Sequence, residues 1–397
     1  MSPHRPTDRT TDRPTAPPTA AATLGARPHP AEQVGGNAPS LPAVSASAAP
    51  PSLAVIASRV QERLRQVLAE EEARWTSFDP DLAGPVGEIG RLVLVGGKRL
   101  RPAFCHWAFV GVGGDPDDPM VVDAGAAFEL MHAFALFHDD VMDDAASRRG
   151  EPTTHTVFAE RHTQHGWAGE ARRFGEGVAI LVGDLAFVYA DRLMGSASPA
   201  AWRIWNELRI ELNIGQLLDI EGSVRNERSR VKAERVCRYK SGKYTIERPL
   251  HLGAVMAAPD REAELLPALS AYGLPLGDAF QMRDDVMGAF GDQAVTGKPV
   301  GGDLREGKPT PLLARAFEAA TAAQAEVLAM VGTTRLDDHD VARVQEAIVD
   351  TGALADLEAT IARLTDEAVQ AIATAPITEV AKQELVALAA YVSHRTV

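Results

Sequence analysis

From Leu53 onward the sequence carries the apolar periodicity of α-helices. In the first such segment, Val60, Leu64, Val67 and Leu68 recur at helical spacing between charged residues. Similar segments rich in Ala, Leu, Glu and Arg follow at 120–142, 177–194, 201–219, 262–287, 308–330, 341–372 and 379–393. The alternating pattern of β-branched and aromatic residues that marks strands does not occur. The sequence therefore predicts an all-α body.

Residues 1–52 have a different composition, in which Pro, Ala, Thr, Ser and Gly dominate and large apolar side chains are scarce. Such a segment cannot bury enough apolar surface to offset the entropy of ordering. We therefore expect a disordered leader over 1–52 and one helical domain over 53–397. The N-terminus lacks the hydrophobic region of a secretion signal, and no uninterrupted apolar stretch of about 18 residues occurs. We expect a cytoplasmic protein without a membrane span.

The net charge limits the possible partners. Forty basic and 54 acidic side chains give a formal charge of −14, the wrong sign for a protein that binds nucleic-acid phosphates by releasing counterions. Cys105 and Cys237 are far apart in the sequence and have no metal-ligand neighbours. This indicates a reducing compartment and two small core residues rather than a disulfide or a zinc site.

A cluster of aspartates ends the apolar segment 120–142. On a helix, Asp139 and Asp143 lie one turn apart and project from one face, with Asp140 and Asp144 beside them. Like charges at this spacing repel one another, and the helix dipole disfavours acids at a C-terminus. A cation would neutralise the cluster, and oxygen ligands select a hard ion such as Mg²⁺, which often shares the oxygens of substrate phosphates. The alternative is a solvated acidic helix end.

A second acidic cluster lies in another apolar helical segment, where Gln281 precedes Asp284 and Asp285 and Asp292 follows two turns later. If the two helices face each other, the clusters form a site for several cations. Basic residues, several of them beside glycine, lie around both clusters in the sequence: Lys98, Arg99, Arg101, Arg148, Arg149, Lys240, Lys243, Lys298 and Lys308. In an acidic protein such residues indicate an anion site, so the implied ligand carries several phosphates.

These motifs occur together, and in the same order, in one known family. They are Gly-Gly-Lys-Arg-Leu-Arg-Pro at 96–102, Asp139-Asp140-Val141-Met142-Asp143, Arg148-Arg149-Gly150, Gly215-Gln216 with Asp219, Lys240-Ser241, Gln281 to Asp285 and Gly297-Lys298. With them the chain resembles the trans-isoprenyl diphosphate synthases, or polyprenyl synthetases, from about Leu53 to at least Pro311. The resemblance implies a single-domain helical bundle with a central active-site cavity, and a homodimer.

The resemblance also implies an activity, in which isopentenyl diphosphate condenses head to tail with dimethylallyl, geranyl or farnesyl diphosphate. Asp139, Asp143 and Asp284 would bind about three Mg²⁺ ions, which hold the allylic diphosphate. The implied ligands of isopentenyl diphosphate are Lys98, Arg101, His132 and Arg149. Those on the allylic side are Arg148, Lys240, Ser241, Gln281 and Lys298, with Lys308 as a further substrate-binding residue. The implied catalytic set is Asp139, Asp140, Asp143, Arg148, Lys240, Asp284 and Lys298.

Two residues before the first motif bear on the length of the product. Ala135 lies one turn, or about 5.4 Å, below Asp139, and a small residue there leaves room for a further isoprene unit. Phe134 is rotated by roughly 140° from Asp139 and would narrow the tunnel from the side. Aromatic residues at both positions resemble farnesyl diphosphate synthases, whereas this combination resembles short-chain geranylgeranyl diphosphate synthases. We favour geranylgeranyl diphosphate, with farnesyl diphosphate synthase as the alternative.

The second motif departs from the common D-D-x-x-D of the family, because Gly288 stands where the last Asp would be. Either Asp292 compensates, or Asp284 and Asp285 suffice. The string from Gly302 to Lys308 matches a nucleotide-binding P-loop only superficially, because Pro309 replaces the required Ser or Thr.

Three other functions fit part of the pattern. His138-Asp139 is compatible with an HD-type metal phosphohydrolase, but further spaced His ligands are not apparent. A class I terpene cyclase would share the metal-dependent ionisation, yet it has no use for the isopentenyl diphosphate ligands Lys98, Arg101 and His132. A non-catalytic partner subunit would not need intact acidic and basic motifs. The sequence therefore favours the synthase.

Overall fold

The computed structural model describes residues 48–148, 150–291, 301–332 and 336–394. Most of the predicted leader, together with Arg149, Asp292 and Lys298, lies outside the described residues. The α-helices are α1 Pro51–Thr76, α2 Gly84–Val93, α3 Leu100–Gly111, α4 Pro119–Met142, α5 Thr154–His165, α6 Ala171–Leu193, α7 Pro199–Val224, α8 Arg230–Val236, α9 Arg248–Ala257, α10 Glu262–Phe290, α11 Gly302–Glu306, α12 Pro311–Ala319, α13 Ala322–Leu328, α14 Asp338–Asp350, α15 Ala353–Ala373 and α16 Glu379–Ser393.

Elements other than α-helices are few in the described part of the chain. Cys237–Glu247 is a π-helix, and Pro80–Ala83 and Pro259–Arg261 are 3₁₀ turns. Two short strands, β1 Ser147–Arg148 and β2 Glu151–Pro152, pair antiparallel. Strands of two residues are too short to show an alternating pattern, so they leave no signal in the sequence. The all-α prediction is confirmed.

Two predicted helical segments are each divided in the structure. The segment 341–372 is α14 and α15, because Gly352 adopts a left-handed backbone with φ of 79° between them. The segment 308–330 is α12 and α13, where Thr321 and Gln324 form a capping box that starts the second helix. In both cases a local turn overrides the apolar period.

Polar caps followed by proline begin three of the helices. The side chains of Asp118, Ser198 and Thr310 accept hydrogen bonds from backbone N–H groups in the first turns of α4, α7 and α12. A proline follows each cap, where its missing N–H costs nothing. Local sequence therefore fixes where α4 and α7 begin. Both helices carry residues of the motifs quoted above.

Helix α4 lies in the centre of the larger apolar core and packs against α1, α3 and α6. Phe128 on α4 contacts Trp205 on α7 edge to face, with the ring centroids 5.4 Å apart. Among the described helices α4 alone is long and apolar enough to cross a membrane, but most of it is buried inside this fold. Its apolarity is therefore accounted for by packing.

The second half of α10 joins this core to a smaller one formed with α11 to α15. Arg283 on α10 is buried and donates two hydrogen bonds to Glu358 on α15, at 2.7 and 2.5 Å. It donates a third to the backbone carbonyl of Ser393 at the end of α16. This buried ion pair, in which each guanidinium nitrogen donates a hydrogen bond, holds α10 in place between the two cores.

Glycines allow the π-helix to approach α7 and α10 closely. A β-carbon on Gly215 of α7 would lie 2.4 Å from the backbone nitrogen of Lys240. A β-carbon on Gly277 of α10 would lie 2.8 Å from the Cα of Gly242. Both distances are shorter than real contacts allow, so larger residues would push the helices apart. These crossings bring the π-helix, α7 and α10 together at one site.

Candidate active site

A cavity of about 640 Å³ lies among α3, α4, α7, the π-helix and α10. From α4 it is lined by Glu129, His132, Ala133, Leu136 and Asp139, whose spacing of three and four residues marks one helix face. The other predicted site residues that line it are Lys98, Arg101, Arg148, Lys240, Ser241, Gln281, Asp284 and Lys308. The structure therefore brings most of the predicted residues into a single cavity.

Asp139 of the first motif is surrounded by donors from three elements. Its Oδ1 accepts hydrogen bonds from Lys240 Nζ at 3.1 Å and Gln216 Nε2 at 3.2 Å, and its Oδ2 accepts one from Arg148 Nη2 at 3.2 Å. Lys240 also donates to Asp219 Oδ2 at 2.6 Å. Burial opposes the ionisation of Asp139, but the positive charges of Lys240, Lys308 and Arg148 outweigh this effect. They lower the pKa of Asp139 to about 2.

The other two carboxyl groups of the first motif, those of Asp140 and Asp143, have raised pKa values. Arg148 Nε donates to Asp140 Oδ1 at 2.7 Å, yet burial raises the pKa of Asp140 to about 6. Lys308 Nζ lies 3.2 Å from Asp143 Oδ2, and burial together with the charge of Asp139 raises the pKa of Asp143. Arg148, Lys240 and Lys308 thus each pair with a carboxylate of the first motif.

The hairpin after α4 positions Arg148. Gly150, with φ of 80°, forms the turn between β1 and β2, and the Thr153 hydroxyl donates to the carbonyl of Ala145 at 2.7 Å. The chain is thereby returned onto the end of α4, where the guanidinium of Arg148 reaches both Asp139 and Asp140.

The second motif contributes two carboxylates to the cavity lining, Asp284 and Asp285. Asp285 is buried, and its Oδ1 accepts a hydrogen bond from Gln281 Nε2 at 2.9 Å. The thiol of Cys237 lies 3.8 Å from its Oδ2. Burial raises the pKa of Asp285 well above its ordinary value. Gln281 therefore orients a carboxylate of its own motif and also borders the cavity.

Asp303 lies beside Gly288, which stands where the family's second motif has its last Asp. A β-carbon on Gly288 would lie 1.9 Å from Asp303 Oδ2, and both residues line the cavity. The carboxylate of Asp303, on α11, thus occupies the space that a side chain at 288 would need. In the sequence, the segment from Gly302 to Lys308 shows only a false P-loop, and a contact between α10 and α11 leaves no local signal that would reveal this carboxylate.

The basic residues at 98–101 have different roles in the structure. Lys98 and Arg101 line the cavity, as does His132 from α4. Arg99 is buried with a left-handed φ of 48°, pairs with Glu129, and donates to the carbonyl of Val93 at 2.5 Å. Arg99 therefore anchors the loop that presents its neighbours.

The two residues predicted to set product length lie off the cavity-lining face of α4. The ring of Phe134 packs edge to face against Phe187 on α6 and His138, with centroids 4.9 and 4.7 Å away. Ala135 is half-buried against the main core. Neither is among the described residues that line the cavity, where Ala133 and Leu136 take the corresponding places. Their role in product length stays a prediction.

The donor chemistry of the site fits hard divalent cations that share ligands with a substrate. In the part of the chain that the structure describes, no three Asp, Glu, His or Cys side chains converge closely enough to hold a metal ion by themselves. Mg²⁺ is commonly bound through one or two carboxylates together with phosphate oxygens. Asp139 and Asp284 line one cavity. Asp143 is not among the lining residues, but it pairs with Lys308, which is. These carboxylates suit such shared coordination.

Residues 87–349 match the family described as "Polyprenyl synthetase". The chain belongs to the polyprenyl synthetase family. It is 31% identical over 321 residues to the geranylfarnesyl diphosphate synthase of Aeropyrum pernix, which covers 79% of this chain and 93% of that protein. It is 33% identical over 309 residues to the geranylgeranyl diphosphate synthase of Mycobacterium tuberculosis, which covers 75% of this chain and 80% of that protein.

The fold is also similar to that of solved polyprenyl synthetases. A geranylgeranyl pyrophosphate synthase from Corynebacterium glutamicum, crystallised with isoprenyl diphosphate and magnesium, aligns with a TM-score of 0.81 and 35% identity over 86% of this chain and 99% of that one. The family, the all-α fold class and the predicted enzyme class, an isoprenyl diphosphate synthase, are thereby confirmed. The family uses a divalent metal for catalysis.

Proposed function

We propose that the protein condenses isopentenyl diphosphate with an allylic diphosphate and releases geranylgeranyl diphosphate. The observation that carries this proposal is that one cavity is lined both by acidic residues of the two Asp-rich motifs and by a separate set of basic residues. Asp139 and Asp284 line one part, and basic groups come from Lys98 in the loop before α3, from Arg101 on α3 and from His132 on α4. A cyclase that acts on a single diphosphate has no need of the second set.

In the proposed reaction, the carbon–oxygen bond of the allylic diphosphate breaks and negative charge develops on the departing diphosphate. Lys240 and Arg148 are already fixed in the cavity by hydrogen bonds to Asp139, so they stabilise this charge without reorganising. Bound Mg²⁺ ions would neutralise further charge on the same oxygens. We propose Asp139, Asp143 and Asp284 as the metal ligands, with Asp303 as an additional carboxylate beside Gly288.

The double bond of isopentenyl diphosphate then attacks the allylic cation and forms the new carbon–carbon bond. The proton lost from the adjacent carbon goes to the released diphosphate, so no side-chain base is required. The only lining thiol, that of Cys237, has a pKa raised well above its ordinary value by burial.

The proposed product length depends on side chains of α4 and of the neighbouring helix α6. Ala135 leaves space one turn below Asp139, whereas Phe134 is fixed sideways by Phe187. The ring of Phe187 is covered in turn by Arg209, whose guanidinium carbon lies 4.8 Å from the ring centroid. Ala135 does not line the described cavity, so the proposal requires the tunnel to continue along this side wall towards Ala135. The similarity to synthases of geranylgeranyl and geranylfarnesyl diphosphate supports a product in this range.

Exposed apolar residues on α6 and α7 support the proposed homodimer. They are Ile180, Leu181 and Val188 on α6 and Ile210, Ile214, Leu217 and Val224 on α7, each between 42% and 79% exposed. Apolar side chains clustered on two helices are typical of an interface between subunits. Sedimentation of the purified protein would measure the oligomeric state.

We further propose that the enzyme is cytoplasmic and that 53–397 form its catalytic domain.

Product chromatography tests the proposed length. Purified protein is incubated with Mg²⁺, isopentenyl diphosphate and, in separate reactions, dimethylallyl, geranyl or farnesyl diphosphate. We expect geranylgeranyl diphosphate as the main product from each. Farnesyl diphosphate as the main end product would contradict the length while leaving the condensation intact.

A further inference from the structure

The guanidinium of Arg101 is held by two consecutive residues of the π-helix. Its central carbon lies 4.2 Å from the centroid of the Tyr244 ring, within the range of a cation–π interaction. Its Nη2 donates a hydrogen bond to the Thr245 hydroxyl at 3.1 Å. Arg101 belongs to α3, so these contacts join two elements that are distant in the sequence.

Two buried polar atoms in this group have no partner among the described residues. One is Nε of Arg101 and the other is the hydroxyl of Tyr244, which is only 3% exposed. Buried donors are nearly always satisfied, because leaving water without a new hydrogen bond costs free energy. Arg101 lines the cavity, so an anionic ligand there would supply the missing acceptor for Nε.

The π-helix geometry explains why these side chains meet Arg101. The i→i+5 hydrogen bonds of a π-helix widen each turn, so that residues four and five apart share a face. Lys240 and Ser241 are followed at this spacing by Thr245, and all three line the cavity. Tyr244 packs behind them, with its ring centroid 6.3 Å from that of His132. The widened helix thus serves both predicted diphosphate sites.

We propose that Tyr244 and Thr245 are positioning residues, which hold the Arg101 guanidinium in the orientation that binds isopentenyl diphosphate. This proposal rests on the proposed function. The ring covers one face of the guanidinium and the hydroxyl accepts from one of its five N–H groups, which leaves the others, Nε among them, for the diphosphate. A guanidinium fixed before the ligand arrives loses less side-chain entropy on binding, and the affinity for the ligand rises accordingly.

Steady-state kinetics with each substrate varied in turn tests the proposal. Tyr244→Leu removes the aromatic face, and we expect KM for isopentenyl diphosphate to rise by about tenfold. Tyr244→Phe keeps the face and should restore KM to within about twofold of the wild-type value. Thr245→Val should raise KM by about fivefold and Thr245→Ser should restore it. In all four variants kcat and KM for the allylic substrate change by less than about twofold.

Tyr239→Leu is the matched control. Tyr239 lies on the same π-helix and its ring also lies beside a cation, Lys243 at 5.3 Å, but neither is among the described residues that line the cavity. KM for isopentenyl diphosphate should be unchanged in this variant. A purely structural role of the π-helix would instead raise both KM values and lower kcat in the control and in Tyr244→Leu alike.

Three outcomes would overturn the proposal. The first is an unchanged KM for isopentenyl diphosphate in Tyr244→Leu and Thr245→Val, and the second is an equal rise for both substrates. The third is that Tyr244→Phe behaves like Tyr244→Leu, because the hydroxyl rather than the ring would then be responsible. If Tyr244→Leu does not fold, the Phe, Val and Ser variants still decide the result.

Failure of the proposed function has a separate signature. A wild-type enzyme that consumes no isopentenyl diphosphate contradicts the condensation itself. Calorimetric titration with isopentenyl diphosphate alone, without metal or allylic substrate, then still tests Arg101 positioning. The expected result is a Kd about tenfold weaker in Tyr244→Leu than in wild type, and equal values would overturn the proposal.

Discussion

Asp303 Oδ2 lies 1.9 Å from the position that a β-carbon on Gly288 would take, so the two positions cannot both carry a carboxylate side chain without movement. The missing aspartate of the second motif is therefore matched by a carboxylate from α11 in the same place. The glycine and the aspartate form one spatial unit, although they are separated by the residues between α10 and α11.

Gly288→Asp tests this relationship. The new side chain collides with Asp303, and we expect a loss of about 1–3 kcal/mol in the free energy of unfolding, as for other overpacked sites. Asp303→Ala should keep the fold but weaken the stabilisation by Mg²⁺ and an allylic diphosphate analogue in thermal unfolding. The double variant Gly288→Asp/Asp303→Ala should recover most of both losses. A single Gly288→Asp variant as stable as wild type would show that the site accommodates both carboxylates.

Lys240→Gln tests the preorganised cation. Lys240 bridges Asp139 and Asp219, and its removal should lower kcat by about 10²- to 10³-fold, as for other donors that stabilise developing charge. Lys232→Gln is the control, because Lys232 is exposed and pairs only with Glu227 in the described contacts. Its kcat should equal that of wild type. If kcat fell by a comparable factor in both variants, the loss would reflect the overall charge of the protein and not the position of Lys240.

Ala135→Phe should shorten the product from geranylgeranyl to farnesyl diphosphate, because the ring would fill the space one turn below Asp139. Chromatography of the products decides the point. Leu136→Phe is the informative comparison, since Leu136 lines the cavity and Ala135 does not. If only Leu136→Phe shortens the product in active enzymes, the floor lies on the cavity face and the assignment of Ala135 is wrong.

Because the side chain of His251 is buried, we expect the free energy of unfolding to depend on pH. His251 accepts a hydrogen bond from Arg248 through Nδ1 and contacts Ser270 through Nε2, and burial lowers its pKa to about 4. As the pH falls below 6.5 the unfolded chain takes up the proton, but the folded chain does not until about pH 4. The free energy of unfolding should therefore fall across this window, by up to about 3 kcal/mol from this residue.

Urea unfolding at pH 7, 5.5 and 4.5 would measure the effect. In His251→Gln the free energy of unfolding should depend less on pH than in wild type. His165 is exposed, so His165→Gln should leave this dependence unchanged. Identical pH profiles for wild type and His251→Gln would contradict the explanation.

The sequence predicted the elements of the site better than their contacts. The apolar periods placed the Asp-rich motifs on α4 and α10, and the motif order predicted that both would face one cavity. Nothing local distinguishes Arg99, which anchors a loop, from Lys98 and Arg101, which line the cavity. A left-handed backbone and the buried partner Glu129 decide that difference, and both depend on the tertiary fold.

Long-range packing explains the remaining differences. Asp303 reaches Gly288 only because α11 folds back against α10, and Tyr244 reaches Arg101 only because the π-helix crosses α3. Neither contact has a periodic or spacing signature in the sequence. The prediction that Phe134 and Ala135 control length rests on helix geometry and on the resemblance to the family, and neither specifies which face of α4 borders the cavity.

The release of diphosphate from farnesyl diphosphate, measured with and without radiolabelled isopentenyl diphosphate in the presence of Mg²⁺, decides whether the protein catalyses the condensation. We predict that release depends on isopentenyl diphosphate, that one label enters the product for each diphosphate released, and that the product is geranylgeranyl diphosphate. Release without isopentenyl diphosphate, accompanied by unlabelled cyclic hydrocarbons, would contradict it.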